Sequence, residues 1–215
     1  MKLYCLSGLG VDHRAFQNLR IDGVELAHIP WIEPQKTESL AAYAKRLFES
    51  ADLPKEYHLI GVSFGGMIAQ EFEKIRKPKS LFLVSTISSS ADLSFFFKIG
   101  GRLKLHKLIP QFMINRGNVV SNYLFGVKSQ EDKELFNEIL HDSDIPLIRW
   151  ALGAIVQWKN NASTNGIRIH GGKDRILPQK VMADFFIPDA GHLMIATHAE
   201  ELNSFLESSI NMSEN

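Results

Sequence analysis

The chain has 215 residues, 45% of them hydrophobic, enough to bury one substantial core as a single domain carrying an insertion. Lys plus Arg and Asp plus Glu number 24 each, so charge gives no case for a nucleic-acid partner or an anionic membrane. A lone cysteine, Cys5, excludes an internal disulfide; no segment reaches the length of an uncharged membrane span and residues 1–10 lack a convincing signal peptide, so the expected setting is the cytoplasm.

Short apolar runs at 3–6, 24–29, 57–60, 81–84, 167–170 and 184–187 read as strands. The middle runs are nearly continuous in apolar character, as strands covered on both faces should be. Between them, 37–50 carries Leu40, Ala41, Ala44, Leu47 and Phe48 on one helical stripe, and 67–75 is a second helix stopped near Pro78. A last helix is predicted from Thr197, with Glu200 completing a capping box and Leu202, Phe205, Leu206 and Ile210 facing inward. Such alternation implies a doubly wound, mostly parallel α/β sheet. From about residue 87 to 161 the rhythm breaks into amphipathic runs without a strand. The division expected is therefore a core of residues 1–87 and 162–215, with a helical cap inserted at 88–161.

Gly61-Val62-Ser63-Phe64-Gly65 lies between a predicted strand and a predicted helix. A serine on so sharp a turn lifts its Oγ above the sheet edge, and the next backbone N–H points at the same space. A tight glycine turn of a nucleotide-type fold is the other reading of this pentapeptide. A nucleophilic serine needs a base, and the base needs an acid to fix its tautomer. His192, in Ala190-Gly191-His192-Leu193, follows the last predicted strand, at the edge where open parallel sheets bind ligands. Asp174 follows the strand before it; the other reading of that aspartate is an N-cap to a short helix near Pro178. Asp189 is the alternative acid, and His170 reads as a packing histidine that bonds backbone near Asp174. Ser7-Gly8-Leu9-Gly10, after the first strand, can present the Leu9 N–H beside that of Phe64 as a pair of oxyanion donors. The eight histidines are scattered, with no His-x-x-x-His and no cysteine pair, so neither a metal nor another cofactor is called for.

Together, Ser-Gly-Leu-Gly, Gly-Val-Ser-Phe-Gly-Gly, His-Gly-Gly-Lys-Asp-Arg-Ile-Leu-Pro and Ala-Gly-His-Leu resemble the α/β-hydrolase fold superfamily, in its compact branch of esterases and thioesterases. The resemblance implies Ser63 as nucleophile, Asp174 as acid, His192 as base, and Leu9 and Phe64 as oxyanion donors. It covers nearly the whole chain apart from the insertion. The chain opens on the strand that comes third in that superfamily, so the leading hairpin is expected to be absent and the sheet to have about six strands. Ser7 stands where many members carry histidine. The stretch from Asp174 to His192 leaves room for only about two helical turns.

The activity expected is that of a serine hydrolase cleaving a small to medium ester or thioester through an acyl-enzyme. A small-molecule binder on the same scaffold and a lyase using the same Ser-His pair are the alternatives. Within the insertion, Phe95, Phe96 and Leu103 are candidates to line an acyl pocket, or else pack within their own subdomain. Its basic first half, including Arg102 and Lys104, would suit a carrier-bound, negatively charged substrate, or is a solvated face balanced by acidic residues further on.

Overall fold

The computed structural model describes residues 1–93, 116–160, 163–178 and 182–214. Six strands, β1 (Lys2–Leu6), β2 (Glu25–His28), β3 (His58–Val62), β4 (Ser80–Val84), β5 (Ile167–Gly171) and β6 (Phe185–Ile187), form one sheet in the order β2-β1-β3-β4-β5-β6. Every pairing is parallel. The strands fall on the six apolar runs because a central parallel strand is covered on both faces: all five residues of β3 and of β4 are buried. Successive side chains alternate between two cores. Ile60, Val62, Phe82 and Val84 enter one, and Leu59, Leu81 and Leu83 enter the other.

Helices α1 (Leu40–Ser50) and α2 (Phe64–Ile75) cover the second face. The first begins at Leu40, where its apolar stripe begins and three residues after the predicted start at 37, because the Ser39 side chain accepts from Ala42 N–H as N-cap. The second begins three residues earlier than expected, directly from the turn at Ser63. At the carboxyl end of the chain the expectation of one helix opening at Thr197 is corrected. A short helix, Met194–Thr197, comes first, and the Thr197 hydroxyl bonds the Leu193 carbonyl rather than capping the next helix. That longer helix runs Ala199–Glu214 and sends Leu202, Leu206 and Ile210 into the first core.

Between β4 and β5 the described residues form a 3-10 turn (Ser90–Asp92) and three α-helices, α3 (Val119–Phe125), α4 (Gln130–His141) and α5 (Ile145–Gln157). Their apolar faces are divided between the two sheet cores: Leu135, Phe136 and Ile139 of α4 join one, and Leu147, Ala151 and Ile155 of α5 the other. Strand order reverses between β1 and β3, which sends their following loops side by side at the carboxyl edge. That is the switch point where ligands bind in open α/β sheets.

Candidate active site

Ser63 occupies that switch point, between β3 and α2, with φ 53° and ψ −116°. A non-glycine residue in this region is strained by roughly 1–3 kcal/mol, so the surroundings must hold it. They do so from both sides: Ser63 N–H donates to the Val84 carbonyl at 2.9 Å, and the Thr86 hydroxyl donates to the Ser63 carbonyl at 2.7 Å. Gly65 lets the helix start pass against β1, since a Cβ there would strike the Leu6 and Ser7 carbonyls.

Three side chains named from sequence come together. His192 Nε2 lies 2.9 Å from Ser63 Oγ, and His192 Nδ1 lies 2.8 Å from Asp174 Oδ2. The short crossover therefore brings the acid onto the imidazole; among its described residues it contains turns and no helix. No helix near Pro178 follows Asp174 among the described residues, yet its carboxylate bonds both the turn after it and the imidazole. Its Oδ1 accepts from the N–H groups of Ile176 and Leu177, both at 2.9 Å, while Oδ2 serves His192. His170 Nε2 stands 2.8 Å from the Leu177 carbonyl and 3.4 Å from Asp174 Oδ2. Burial works against charge on the Asp174 side chain. The neighbouring His192 and hydrogen bonds from His170, His192 and Leu177 N–H outweigh it, holding the carboxyl well below the usual carboxylate range. Asp189 goes elsewhere: its exposed carboxylate pairs with Lys173.

Residues 8–11 form a turn closed by Val11 N–H on the Gly8 carbonyl at 3.2 Å, and Gly10 has φ 72°. Positive φ at the third residue alone defines a type II turn, which glycine satisfies without strain. Because a trans peptide sets N–H opposite C=O, the inward Gly8 carbonyl turns the Leu9 N–H out of the loop. Gly8 and Leu9 border the same cavity as Ser63, and a Cβ on Gly8 would lie 3.6 Å from that of Ser63. Phe64 is the first residue of α2, so its N–H belongs to the first helical turn, which has no intrahelical acceptor.

The cavity holds about 290 Å³. Phe64 and Met67 of α2, Phe125 at the end of α3, and Ile148, Leu152 and Ile155 of α5 form much of its wall. Apart from Ser63 and His192, the one hydroxyl or ionisable side chain among its described lining residues is Ser121, whose Oγ is engaged with the Asn118 backbone. Phe95, Phe96, Leu103, Arg102 and Lys104 lie outside the described residues. Among the described residues no group of three or more His, Cys, Asp or Glu could hold a metal ion, and no helix is long and apolar enough to cross a membrane.

Three partners were not legible in the sequence. Thr86 carried no motif. Ser143, between α4 and α5, donates to the Gly10 carbonyl at 2.8 Å across 133 positions. His28, at the end of β2, places Nε2 3.4 Å from the Oγ of fully buried Ser7; burial foremost, then His13, pushes the pKa of His28 down, with Asp12 partly offsetting. A polar residue at position 7 hinted at a neighbour without naming it.

No protein-family model and no curated protein sequence matches the chain. Solved structures do. The esterase from Exiguobacterium antarcticum is 15% identical, with a TM-score of 0.77 over 98% of this chain and 92% of that one. A hydrolase from Oleispira antarctica is 14% identical, with a TM-score of 0.75 over 100% and 91%. A thermophilic esterase from Thermogutta terrifontis is 17% identical, with a TM-score of 0.74 over 100% and 91%. With six parallel strands in this order and these likenesses over nearly its full length, the chain has the α/β-hydrolase fold.

Proposed function

We propose that the chain is a serine hydrolase that cleaves an ester or thioester of a small to medium apolar acyl group through an acyl-enzyme, with residues 88–161 acting as a cap over the site. The observation that carries this reading is the unbroken relay from Ser63 Oγ through His192 to Asp174, 2.9 Å and 2.8 Å per step, at the wall of an apolar cavity. His192 Nε2 takes the Ser63 proton as Oγ bonds to the substrate carbonyl carbon, and the carbonyl oxygen becomes an oxyanion held by the Leu9 and Phe64 N–H groups. Collapse of the tetrahedral adduct breaks the bond to the leaving group, which takes the proton from His192. Water then attacks the acyl-enzyme by the same steps, its proton passing through His192 to Ser63. Asp174, ionised and fixed by two backbone N–H groups, keeps the Nδ1–H tautomer and offsets the imidazolium charge. The esterases among the structural neighbours support ester chemistry.

The test is labelling with a fluorophosphonate together with turnover of short p-nitrophenyl esters. Ser63 should carry the label, and Ser63→Ala should lower kcat by about 10⁶-fold, the scale of losing a serine nucleophile. An unlabelled Ser63 with no turnover would favour the binding-protein alternative, and a Ser63→Ala variant that keeps its activity would end the proposal.

A further inference from the structure

The turn that presents Leu9 is not closed on itself. Its Gly10 carbonyl leaves the β1 loop and accepts the Ser143 hydroxyl at 2.8 Å, shorter than that hydroxyl's other contact, 3.3 Å to the Ile139 carbonyl of α4. Beside it Arg14 grips both oxygens of Asp12 at 2.7–3.1 Å and extends Nη2 to Asp142 Oδ2 at 2.8 Å. Asp12 ends the β1 loop by capping the 3-10 turn His13–Phe16, with Arg14 N–H on Oδ1 at 2.9 Å. Ile148 of α5 completes the grip: its Cδ1 would lie 3.1 Å from a Cβ on Gly10, so the helix packs directly against the turn. Asp142 and Ser143 of the cap thus hold the oxyanion loop at two points, its exit and its third turn residue.

We propose that this cap loop sets the aim of the oxyanion donor, with Ser143 as a positioning residue for the Leu9 N–H. The inference rests on the serine-hydrolase reading above. The 8-to-11 hydrogen bond links the first peptide plane of the turn, Gly8–Leu9, to its last, Gly10–Val11. Pinning the Gly10 carbonyl fixes the last plane, and the Gly8–Leu9 plane with it. A donor contributes fully only within the narrow distance range around the developing oxyanion. An unpinned turn binds substrate as before but meets the tetrahedral state less well, so the loss falls on kcat.

Three variants test this in the full chain: Ser143→Ala, Ser143→Thr, which keeps the hydroxyl, and Asp142→Asn, which weakens the Arg14 leg. Ser143→Ala should lower kcat about tenfold, less than the 10²–10³ of removing a donor outright, with KM within about twofold. Fluorophosphonate labelling of Ser63 should slow in proportion, since it too builds negative oxygen at that site, and Ser143→Thr should recover most of the rate. Asp142→Asn should show a smaller kcat loss, about twofold to threefold, at unchanged KM. Unchanged kcat in Ser143→Ala, or a loss carried by KM alone, overturns the inference; if that variant does not fold, unchanged kcat in Asp142→Asn overturns it. Ser63→Ala run in parallel separates the two failures: an inactive Ser63→Ala beside a fully active Ser143→Ala removes only the positioning role, whereas an active Ser63→Ala removes the hydrolase reading itself.

Discussion

The strand ends and the helices between β4 and β5 act on the loops at the candidate site by different means. Ser63 leaves β3 directly, Asp174 stands three residues beyond β5, and His192 five beyond β6, so the sheet's own backbone bonds set their places. The helices between β4 and β5 reach the His192 loop and the loop after β1 from outside. Leu193 N–H donates to the Phe125 carbonyl at 3.0 Å, the Phe125 ring meets that of His192 edge-on at 5.5 Å, and Ser143 holds Gly10. On the proposed reading the sheet determines which groups meet, and the cap determines how closely. Removing a strand-borne group should abolish chemistry, while disturbing a cap contact should grade it.

The sharpest test of the strand-borne side is Asp174→Asn. With the relay assigned as above, losing the carboxylate should cost about 10⁴ in kcat through the wrong imidazole tautomer. Asp189→Asn, which removes the exposed ion pair with Lys173, should stay within about twofold. A reversed pair of results would transfer the acid role and break the comparison. The same substitution changes acid stability with a definite sign. The Asp174 carboxyl is held below its unfolded value of about 3.9, so its contribution is complete above that pH and is lost as pH falls through the folded value. The parent chain should therefore lose more stability than Asp174→Asn between about pH 5 and pH 2, measured by thermal melts.

On the cap side the largest expected effect is at Gly126. It ends α3 with φ 76°, and a Cβ there would come within 2.7 Å of the Gly191 Cα, next to His192. Gly126→Ala combines left-handed strain of about 1–2 kcal/mol with a push on the histidine loop. Tm should fall by about 2–4 °C for each kcal/mol lost in a chain of this size. The expected loss in kcat is about ten- to a hundredfold, the scale of misplacing a reacting group by about an ångström. A drop in Tm with kcat intact would mean that the cap supports folding alone.

The same division explains what could be read from the sequence. All six strands and the four edge motifs are local signals: an apolar run of five residues and a glycine turn announce themselves whatever surrounds them. Asp174, His192 and Ser63 follow such strands, so topology carried them to one edge without further information. Thr86, Ser143 and Gly126 act across the fold on partners far away in sequence, and nothing in their own neighbourhoods marks them. Helix starts failed for a related reason. Thr197 has the residue pattern of an N-cap, yet the preceding turn, pulled in by buried Met194 and Ile195, engaged its hydroxyl first. Tertiary packing overrode a local preference worth about 1 kcal/mol.

The smallest effect sought is also the one that reads the cavity wall directly. With roughly 30 Å³ per methylene-sized group, the share a water takes in the liquid, the 290 Å³ cavity accepts about ten such groups. Each methylene of an acyl chain moved from water onto Phe125, Ile148 or Leu152 should gain about 0.8 kcal/mol. Where that gain is kept in the transition state, kcat/KM should rise up to about fourfold per methylene from the acetyl ester upward. The rise should stop when the cavity is full and reverse for chains much longer than about ten carbons. An acyl chain ending in a carboxylate should fall well below the neutral ester of equal length, because no cation stands among the described lining residues to replace its water. A flat series, or a charged acyl group preferred over a neutral one, would mean that the acyl group lies outside this wall, and the cap would then grade the chemistry through the loops alone.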